Sequence, residues 1–461
     1  MNKKLMASAL GLLLASAPFA SAQAENINIY GWQNWSYEWV SNDGPANGSD
    51  RDVDRLSNNA ANIGFMSHMD TGIAGLQVGF RCEQFTYWGR NNIYTDLCNR
   101  NSKISLRHEQ FGEIMFGQWL LPFNEIVAQW VDPFYDAGAD SHTSIMGNIG
   151  DSASNQSFEA AFYNGSFDDD FGDAYGALAF NRRQEGVIQY VWPNTSAMAD
   201  QSRQGIQFRF AITEGSATDQ DVNVSAANGM FSGMRGTASR NAASFNLDER
   251  IWSTGVSYQH NMGNDQIWLA AAYERHEDVS ARALMEEALC DDSDDSGFRL
   301  AGRYKKDWGN GQATWVAAMY EDLEYDADNC QVGTAQNTAD EFTGTATPVW
   351  ADVERDAWMV SGKHTFGNGF DFRFSYMDAD EWDCGNDGCT DAQEDDTDAI
   401  AYNLGLFYTM PAGTELRVTY SEVDNEDNAA YDFGINTSAI SSGIVGEDVD
   451  MLAVGIVHWF D

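Results

Sequence analysis

Apolar and polar residues alternate along most of the chain in short segments. In residues 76–81, for example, the apolar side chains Leu76, Val78 and Phe80 are separated by polar or small residues. A period of two residues is the spacing of a β-strand with one apolar face. The alternation predicts sixteen strands. The first starts with residues 27–32, and the others lie at 61–68, 76–81, 103–107, 114–119, 183–192, 205–213, 251–260, 266–276, 297–306, 312–325, 353–366, 370–379, 399–410, 415–423 and 448–460.

The connections between these strands alternate between two kinds. Short, turn-like connections lie at 263–265, 308–311, 367–369 and 411–413. Long, acidic connections lie at 41–57, 88–100, 214–248, 280–296, 327–350, 381–397 and 424–446. Short turns on one side and long loops on the other are typical of an outer-membrane barrel, and sixteen strands enclose an aqueous lumen. We therefore predict an all-β fold, a transmembrane antiparallel β-barrel of sixteen strands. The alternative is a soluble protein whose strands have one polar face.

The alternation also separates the strand arginines from the large apolar residues. If residues such as Phe80 and Leu300 face lipid, the arginines beside them face inward. An arginine facing lipid at mid-bilayer would cost roughly 2–4 kcal/mol, which favours this phase. The inward-facing basic residues of the wall are then Arg81, Arg107, Arg209, Arg299, Arg303, Arg373 and Arg417.

One interruption of the strand pattern is much longer than the turns. The strand at 114–119 ends before Pro122, and no strand pattern returns until Arg182, about sixty residues later. A loop of this length is usually functional or disordered. Its acids are Glu125, Asp132, Asp136 and Asp140, and its aromatic anchors are Trp119, Trp130, Phe134 and Tyr135. We predict that this third long loop folds into the lumen and narrows the channel.

The first 24 residues have the pattern of a cleaved export signal. Lys3 and Lys4 precede an apolar core at 5–19, and Ala22-Gln23-Ala24 is a small-residue cleavage site. No later apolar run is long enough for a transmembrane helix. We therefore predict that residues 1–24 are a signal peptide and that residues 25–461 form the outer-membrane barrel.

The charge of the chain is strongly negative. It holds 26 Lys and Arg against 70 Asp and Glu, a formal net charge of −44. This balance excludes a nucleic-acid partner, because phosphates require the opposite sign. Two compatible explanations remain: the acids lie in solvated loops, or their field concentrates cations at a pore mouth.

Six cysteines in an exported chain indicate disulfides. Their order along the chain suggests the pairs Cys82–Cys98, Cys290–Cys330 and Cys384–Cys389.

Dense carboxylates at 291–295 and 378–398 have oxygen ligands that suit Ca²⁺ or Mg²⁺. They lack EF-hand spacing, however, so solvated acidic loops are the better explanation. The chain also lacks HExxH and GxSxG motifs. We therefore predict no catalytic residues, no metal site, no cofactor and no enzyme activity.

Several short motifs occur in a defined order along the chain. They are Ile29-Tyr30-Gly31, Ile63-Gly64-Phe65, the hairpin at 70–75, Phe111-Gly112, Asp132-Pro133-Phe134, Arg182-Arg183 and His458-Trp459-Phe460. Their order and spacing resemble those of the Gram-negative general porins, which are sixteen-stranded trimeric diffusion channels. The resemblance covers essentially the whole chain after the signal. It implies a homotrimer in the outer membrane, with the third long loop folded inward and its acids opposite a basic cluster on the wall.

Two wall positions depart from the family pattern. Family members often carry arginines at the positions of Asn62 and Gln118, whereas Arg183 is retained with Arg182 beside it. A less basic wall opposite an acidic loop leads us to expect passive diffusion of small hydrophilic solutes with a preference for cations. The alternatives are a solute-specific porin, for example for sugars, in which the loop aromatics form a stacking track, and a structural or adhesive surface barrel.

Overall fold

Long antiparallel strands account for most of the structure, which is a computed structural model. It describes residues 27–43, 52–86, 97–125, 128–135, 141–148, 180, 183–193, 204–214, 250–277, 288–289, 292–328, 331–332, 352–384, 394–433 and 446–460. The main sheet holds eighteen strands, of which two, Val53–Asn58 and Asp383–Cys384, are short additions at its long-loop end. The other strands are β1 Asn28–Asp43, β2 Asn62–Asp70, β3 Leu76–Phe85, β4 Ser102–His108, β5 Gly112–Leu120, β6 Arg183–Trp192, β7 Gly205–Glu214, β8 Arg250–Met262, β9 Asp265–Glu277, β10 Asp292–Gly309, β11 Gln312–Asp328, β12 Asp352–Phe366, β13 Phe370–Ala379, β14 Ala399–Met410, β15 Thr414–Asn425 and β16 Asp448–Phe460.

The first and last strands close the barrel. β1 pairs with β16 from Gly31 opposite Phe460 to Asp43 opposite Asp448, and it pairs with β2 on its other side. Every other strand pairs with its neighbours in the chain, so the predicted order and number of strands are confirmed. Closure leaves no exposed sheet edge, which satisfies the backbone hydrogen bonds of a membrane-spanning sheet.

Several strands extend beyond the segments that the alternation predicts. The prediction begins a long loop at residue 41 and begins β10 at 297, whereas β1 continues to Asp43 and β10 begins at Asp292. The added ends carry polar residues on both faces, as in Asp294-Asp295-Ser296. A period-two apolar signal exists only where one face meets an apolar environment, so it cannot mark these ends.

The two faces of the barrel differ sharply in chemistry. Large apolar residues such as Phe80, Leu300 and Val418 lie on the exposed outer face, while Arg299 and Arg417 lie on the buried face. Tyrosine, tryptophan and phenylalanine are concentrated near both ends of the outer face, for example in the pairs Trp358–Tyr376 and Phe370–Tyr408. This is the outer surface of a barrel surrounded by lipid. Within the described residues, no helix has the length and apolar character needed to cross a membrane.

A disulfide joins β3 to the segment before β4. Cys82 and Cys98 are bonded, which confirms one predicted pair. It brings residues 97–101 against the wall, where the side chain of Arg100 is buried. The other predicted pairs, Cys290–Cys330 and Cys384–Cys389, depend on positions or side chains outside the described part of the chain.

Loss of this disulfide should destabilise the barrel. The bond spans a sequence separation of 16. Closing a loop of that size lowers the conformational entropy of the unfolded chain, which stabilises the folded state by about 3 kcal/mol. We expect a C82S/C98S variant to unfold at lower urea concentration in lipid vesicles than the oxidised protein. Thiol-treated wild-type protein, which loses this bond together with any other disulfide, should also unfold at lower urea concentration than the oxidised protein. Identical unfolding midpoints for all three samples would contradict this prediction.

Candidate functional site

A segment after β5 packs on the buried face of the barrel. Its described residues, which we call the 121–148 segment, are 121–125, 128–135 and 141–148. They include two short helices, α1 Pro122–Glu125 and α2 Ala128–Val131, and a 3-10 turn at His142–Ser144. Pro122 suits the first turn of α1, because the missing N–H of proline has no helical partner there.

Wall side chains from several strands hold the backbone of this segment. The amide of Phe123 donates to Ser253 Oγ on β8 at 3.0 Å. Arg303 on β10 donates to the carbonyl of Trp130, and Arg373 on β13 donates to that of Pro133, each at 3.2 Å. Ser361 on β12 donates to the carbonyl of Val131. Polar groups of a non-regular segment are therefore satisfied by the wall, as burial requires.

Apolar contacts join the same segment to the wall. Phe123, Val131 and Ile145 are fully buried in one cluster with strand residues. Phe180 stacks on His276 of β9 with ring centroids 4.2 Å apart, and it also contacts Phe123. Two predicted anchors behave similarly, since Trp130 stacks on Trp268 and Phe134 packs on Phe407, whereas Tyr135 stacks on His142 within the segment. Trp119 is also buried.

A buried ion network lies under the end of the 121–148 segment. Glu321 on β11 accepts hydrogen bonds from Arg299 and Arg355 and from the amide of Gly147, the last at 2.7 Å. Both arginines also donate to carbonyls of the segment, Arg299 to Phe123 and Arg355 to Ile145 and Asn148. The three ionic side chains are almost completely inaccessible to solvent. One carboxylate thus joins two strands to the segment.

The predicted loop acids that the structure describes are both buried. Glu125 is 9% exposed; its carboxylate pairs with Arg209 and accepts from the Trp119 indole N–H at 3.1 Å. Asp132 is 5% exposed and accepts from the amides of Phe134 and His142. Asp136 and Asp140 lie outside the described residues. A place for these acids in a constriction stays a prediction.

A second group of charges lies on β3–β5. Glu83 is fully buried and accepts from Arg81, from Arg100 at 2.7 Å and from the Tyr30 hydroxyl at 2.8 Å. The ammonium of Lys103 is 2.6 Å from the Glu113 carboxylate. Arg81 and Lys103 both lie over the ring of Trp119. Trp119 therefore links this basic group to Glu125 of the 121–148 segment.

The predicted basic residues thus fall into separate groups. Arg81, Arg107 and Arg183 lie on β3, β4 and β6, and Arg183 donates to Asn101 at 2.7 Å. Arg299 and Arg303 lie on β10 beneath the 121–148 segment, and Arg209 lies on β7 with Glu125. Arg182 lies outside the described residues.

The sequence patterns did not identify six charged residues of the site: Glu83, Arg100, Lys103, Glu113, Glu321 and Arg355. Lys103 lies on the same strand face as Arg107, and Glu83 lies on the same face as Arg81. The alternation along each strand therefore predicts that both side chains face inward. Arg100 precedes a strand, and only the disulfide at Cys98 signals that it is held at the wall.

Comparison with known proteins agrees with this geometry. The profile of a family described as Gram-negative porin matches residues 7–436. The structure of the anion-selective porin from Comamonas acidovorans is 17% identical with a TM-score of 0.58, and the match covers 94% of this chain and 99% of that one. The in-vitro folded OmpT, an outer membrane protein of Vibrio cholerae, is 11% identical with a TM-score of 0.52, covering 96% and 100%. No curated protein matches the sequence.

Proposed function

The chain belongs to the Gram-negative porin family, and we propose that it is a passive channel of low solute specificity that prefers cations. As a family member it is a non-enzymatic channel for small solutes in the outer membrane. The observation that carries the proposal is the difference in chemistry between the outer and the inner face of the barrel. An apolar outer face suits lipid, and a closed wall with arginine, glutamate, serine and asparagine on its inner face suits water.

The 121–148 segment is the proposed constriction of this channel. Support comes from its contacts with inward-facing residues of β8, β10, β12 and β13, which are possible only for a segment on the buried face. In this proposal Glu125 and Asp132, with Asp136 and Asp140, give the segment its acidic character. The opposing wall is formed by Arg81, Arg107, Arg182 and Arg183, with Arg100 and Lys103. Arg209, Arg299 and Arg303 hold the segment in place.

The proposed cation preference rests on how the basic residues are compensated. Arg81 and Arg100 share Glu83, Lys103 pairs with Glu113, and Arg209 pairs with Glu125. Paired charges contribute little net field, whereas acids exceed bases by 44 over the whole chain. The anion selectivity in the name of the Comamonas acidovorans porin describes that protein, whose sequence is 17% identical.

The proposed active form is a homotrimer of chains processed to residues 25–461. A solved structure of the similar OmpT is described as a trimer form. We expect a trimer band in mild detergent that converts to monomer on boiling.

Three carboxylates at the long-loop ends of β13–β15 have raised pKa values. Burial is the largest cause for Asp380 and Asp398, and repulsion from Asp398 is the largest for Glu426. The neighbouring acids that raise these pKa values are Asp356, Asp378, Glu381, Asp396, Asp424 and Asp427, while Arg355 lowers that of Asp380.

Cation preference should therefore weaken early on acidification. A carboxyl group with a raised pKa takes up its proton at higher pH, so this rim loses negative charge before ordinary carboxyl groups titrate at about pH 4. We expect the reversal potential in a KCl gradient to move toward zero above that range. A potential that stays constant down to pH 4 would show that these acids do not contribute to selectivity.

Liposome swelling tests low solute specificity. Vesicles that contain the protein should swell in isotonic sugars at rates that fall with sugar size and do not depend on stereochemistry. A much faster rate for one sugar than for its isomers would favour a solute-specific porin. Swelling no faster than that of protein-free vesicles would overturn the proposed function.

A further inference from the structure

A row of cationic and aromatic side chains crosses the buried face on the short-turn side of the 121–148 segment. Lys305 on β10 lies directly opposite Trp315 on β11, which lies directly opposite Lys363 on β12. We call these three residues the Lys-Trp-Lys row. Its members are two residues closer to the short turns than the positions of Arg303 and Ser361, which hold the segment. Side chains two residues apart share a strand face, so the row faces inward.

Arg303 and Trp130 lie beside this row. The Arg303 guanidinium is 4.7 Å from the centroid of the Trp130 ring and 5.7 Å from that of Trp315. It donates to the Trp130 carbonyl and to Gln266. Cations over tryptophan faces are attracted by the ring quadrupole, so Arg303 orients both rings.

The charges of this region are only partly neutralised. Lys363 pairs with Asp371 at 2.7 Å. Among the described residues, no carboxylate lies within ion-pair distance of Arg303 or Lys305, although Arg303 is 92% buried. A buried charge without a counter-ion is costly, and an anionic ligand would reduce that cost.

The tryptophans complete the recognition surface. Trp130 already stacks on Trp268 and has the Arg303 guanidinium over its ring, whereas Trp315 is half-buried against the apolar cluster, so part of its indole remains exposed. An indole face stacks on a flat or ring-shaped apolar group, whereas lysine and arginine bind a carboxylate. The two features sit side by side, and only a solute that carries both a ring and a negative charge uses them together.

We propose that the Lys-Trp-Lys row, with Arg303 and Trp130, binds small ring-bearing carboxylates as they pass through the channel. The proposal rests on the proposed function, because it requires the buried face to line a water-filled lumen. It is compatible with an overall cation preference. At physiological ionic strength, charges more than about 8 Å away are largely screened, so rim acids do not cancel the local cations.

Current block by organic anions tests this site. Benzoate carries a ring and a carboxylate, acetate only the carboxylate, and benzyl alcohol only the ring. We expect benzoate to reduce single-channel KCl current at concentrations at which the other two have no effect. Glucuronate distinguishes a sugar ring from an aromatic one, and block by either ring supports the proposal.

Variants of the row give the decisive comparison. Lys305→Gln and Trp315→Leu should each weaken benzoate block by about fivefold, the size expected for losing one modest contact. Lys306→Gln and Trp308→Ala are matched controls: Lys306 pairs with Asp265 on the outer face, and Trp308 is 56% exposed there. Trp315→Phe keeps an aromatic ring that can stack, so it distinguishes loss of the contact from a folding defect. Benzoate should still block this variant.

The outcomes separate the two proposals. Normal KCl conductance with benzoate block no stronger than acetate block would overturn the site and leave the channel intact. Block that is equal in wild type, Lys305→Gln and Lys306→Gln would also overturn it. Absence of KCl conductance in the wild-type protein would instead overturn the proposed function.

Discussion

Replacing Glu321 with Gln should release the 121–148 segment and raise single-channel conductance. Glu321 is the only carboxylate that the described residues place between Arg299 and Arg355, and it also accepts from the Gly147 amide. Without it, two buried guanidinium groups lose the carboxylate that they share, at a cost of about 3–5 kcal/mol. Because both arginines also hold carbonyls of the segment, we expect larger and noisier open-channel currents and a lower free energy of unfolding.

Glu324→Gln is the matched control for this prediction. Glu324 lies on the same strand but on the outer face, where it accepts from Ser296 at 3.4 Å. It should leave conductance and stability unchanged. A second variant, E321L with R299M and R355M, removes the charges together and should recover much of the stability. Its conductance should stay high, because the hydrogen bonds to the segment are still missing. Wild-type conductance in E321Q would contradict the proposed anchoring.

Replacing Glu83 with Gln should shift ion selectivity toward anions. Its carboxylate is fully buried and pairs with Arg81 and Arg100, which we propose lie on the wall opposite the segment. The variant leaves both guanidinium groups without that charge, and Arg81 is the more exposed of the two, with 29% of its side chain accessible. We expect the reversal potential to shift toward that of an anion-selective channel. We also expect the free energy of unfolding to fall by about 3–5 kcal/mol.

Glu109→Gln removes one negative charge elsewhere and serves as the control. Glu109 lies exposed in the short turn between β4 and β5. Both variants change the net charge by the same amount, so only position distinguishes them. If E109Q moves the reversal potential as much as E83Q does, the wall pairs do not control selectivity, and total charge does.

Strand number, order and phase were predictable from the sequence because lipid on one side and water on the other impose a period of two. The arginines show this best. Arg209, Arg299 and Arg303 were placed on the inner face by alternation alone, and the structure buries them there. The Cys82–Cys98 pair was also predictable, since its two cysteines flank one loop.

Pairing of charges across strands was not predictable, because it depends on register and on the fold of the 121–148 segment. Glu321 meets Arg355 through strand pairing and meets Gly147 across 174 residues of chain. Asn62 and Gln118 indicated a thinned basic wall, yet Arg100 and Lys103 add charge from positions outside the family motif. A sequence motif shows which residue stands at each of its positions, whereas the electric field in the channel depends on every charged residue nearby.

We propose a water-filled channel with an inner constriction and a cation preference. Its most direct test is the zero-current potential of single trimers in a tenfold KCl gradient across a planar bilayer. We expect stepwise ionic currents and a reversal potential of cation-selective sign. A reversal potential of anion-selective sign would contradict the preference, and the absence of stepwise currents would contradict the channel itself.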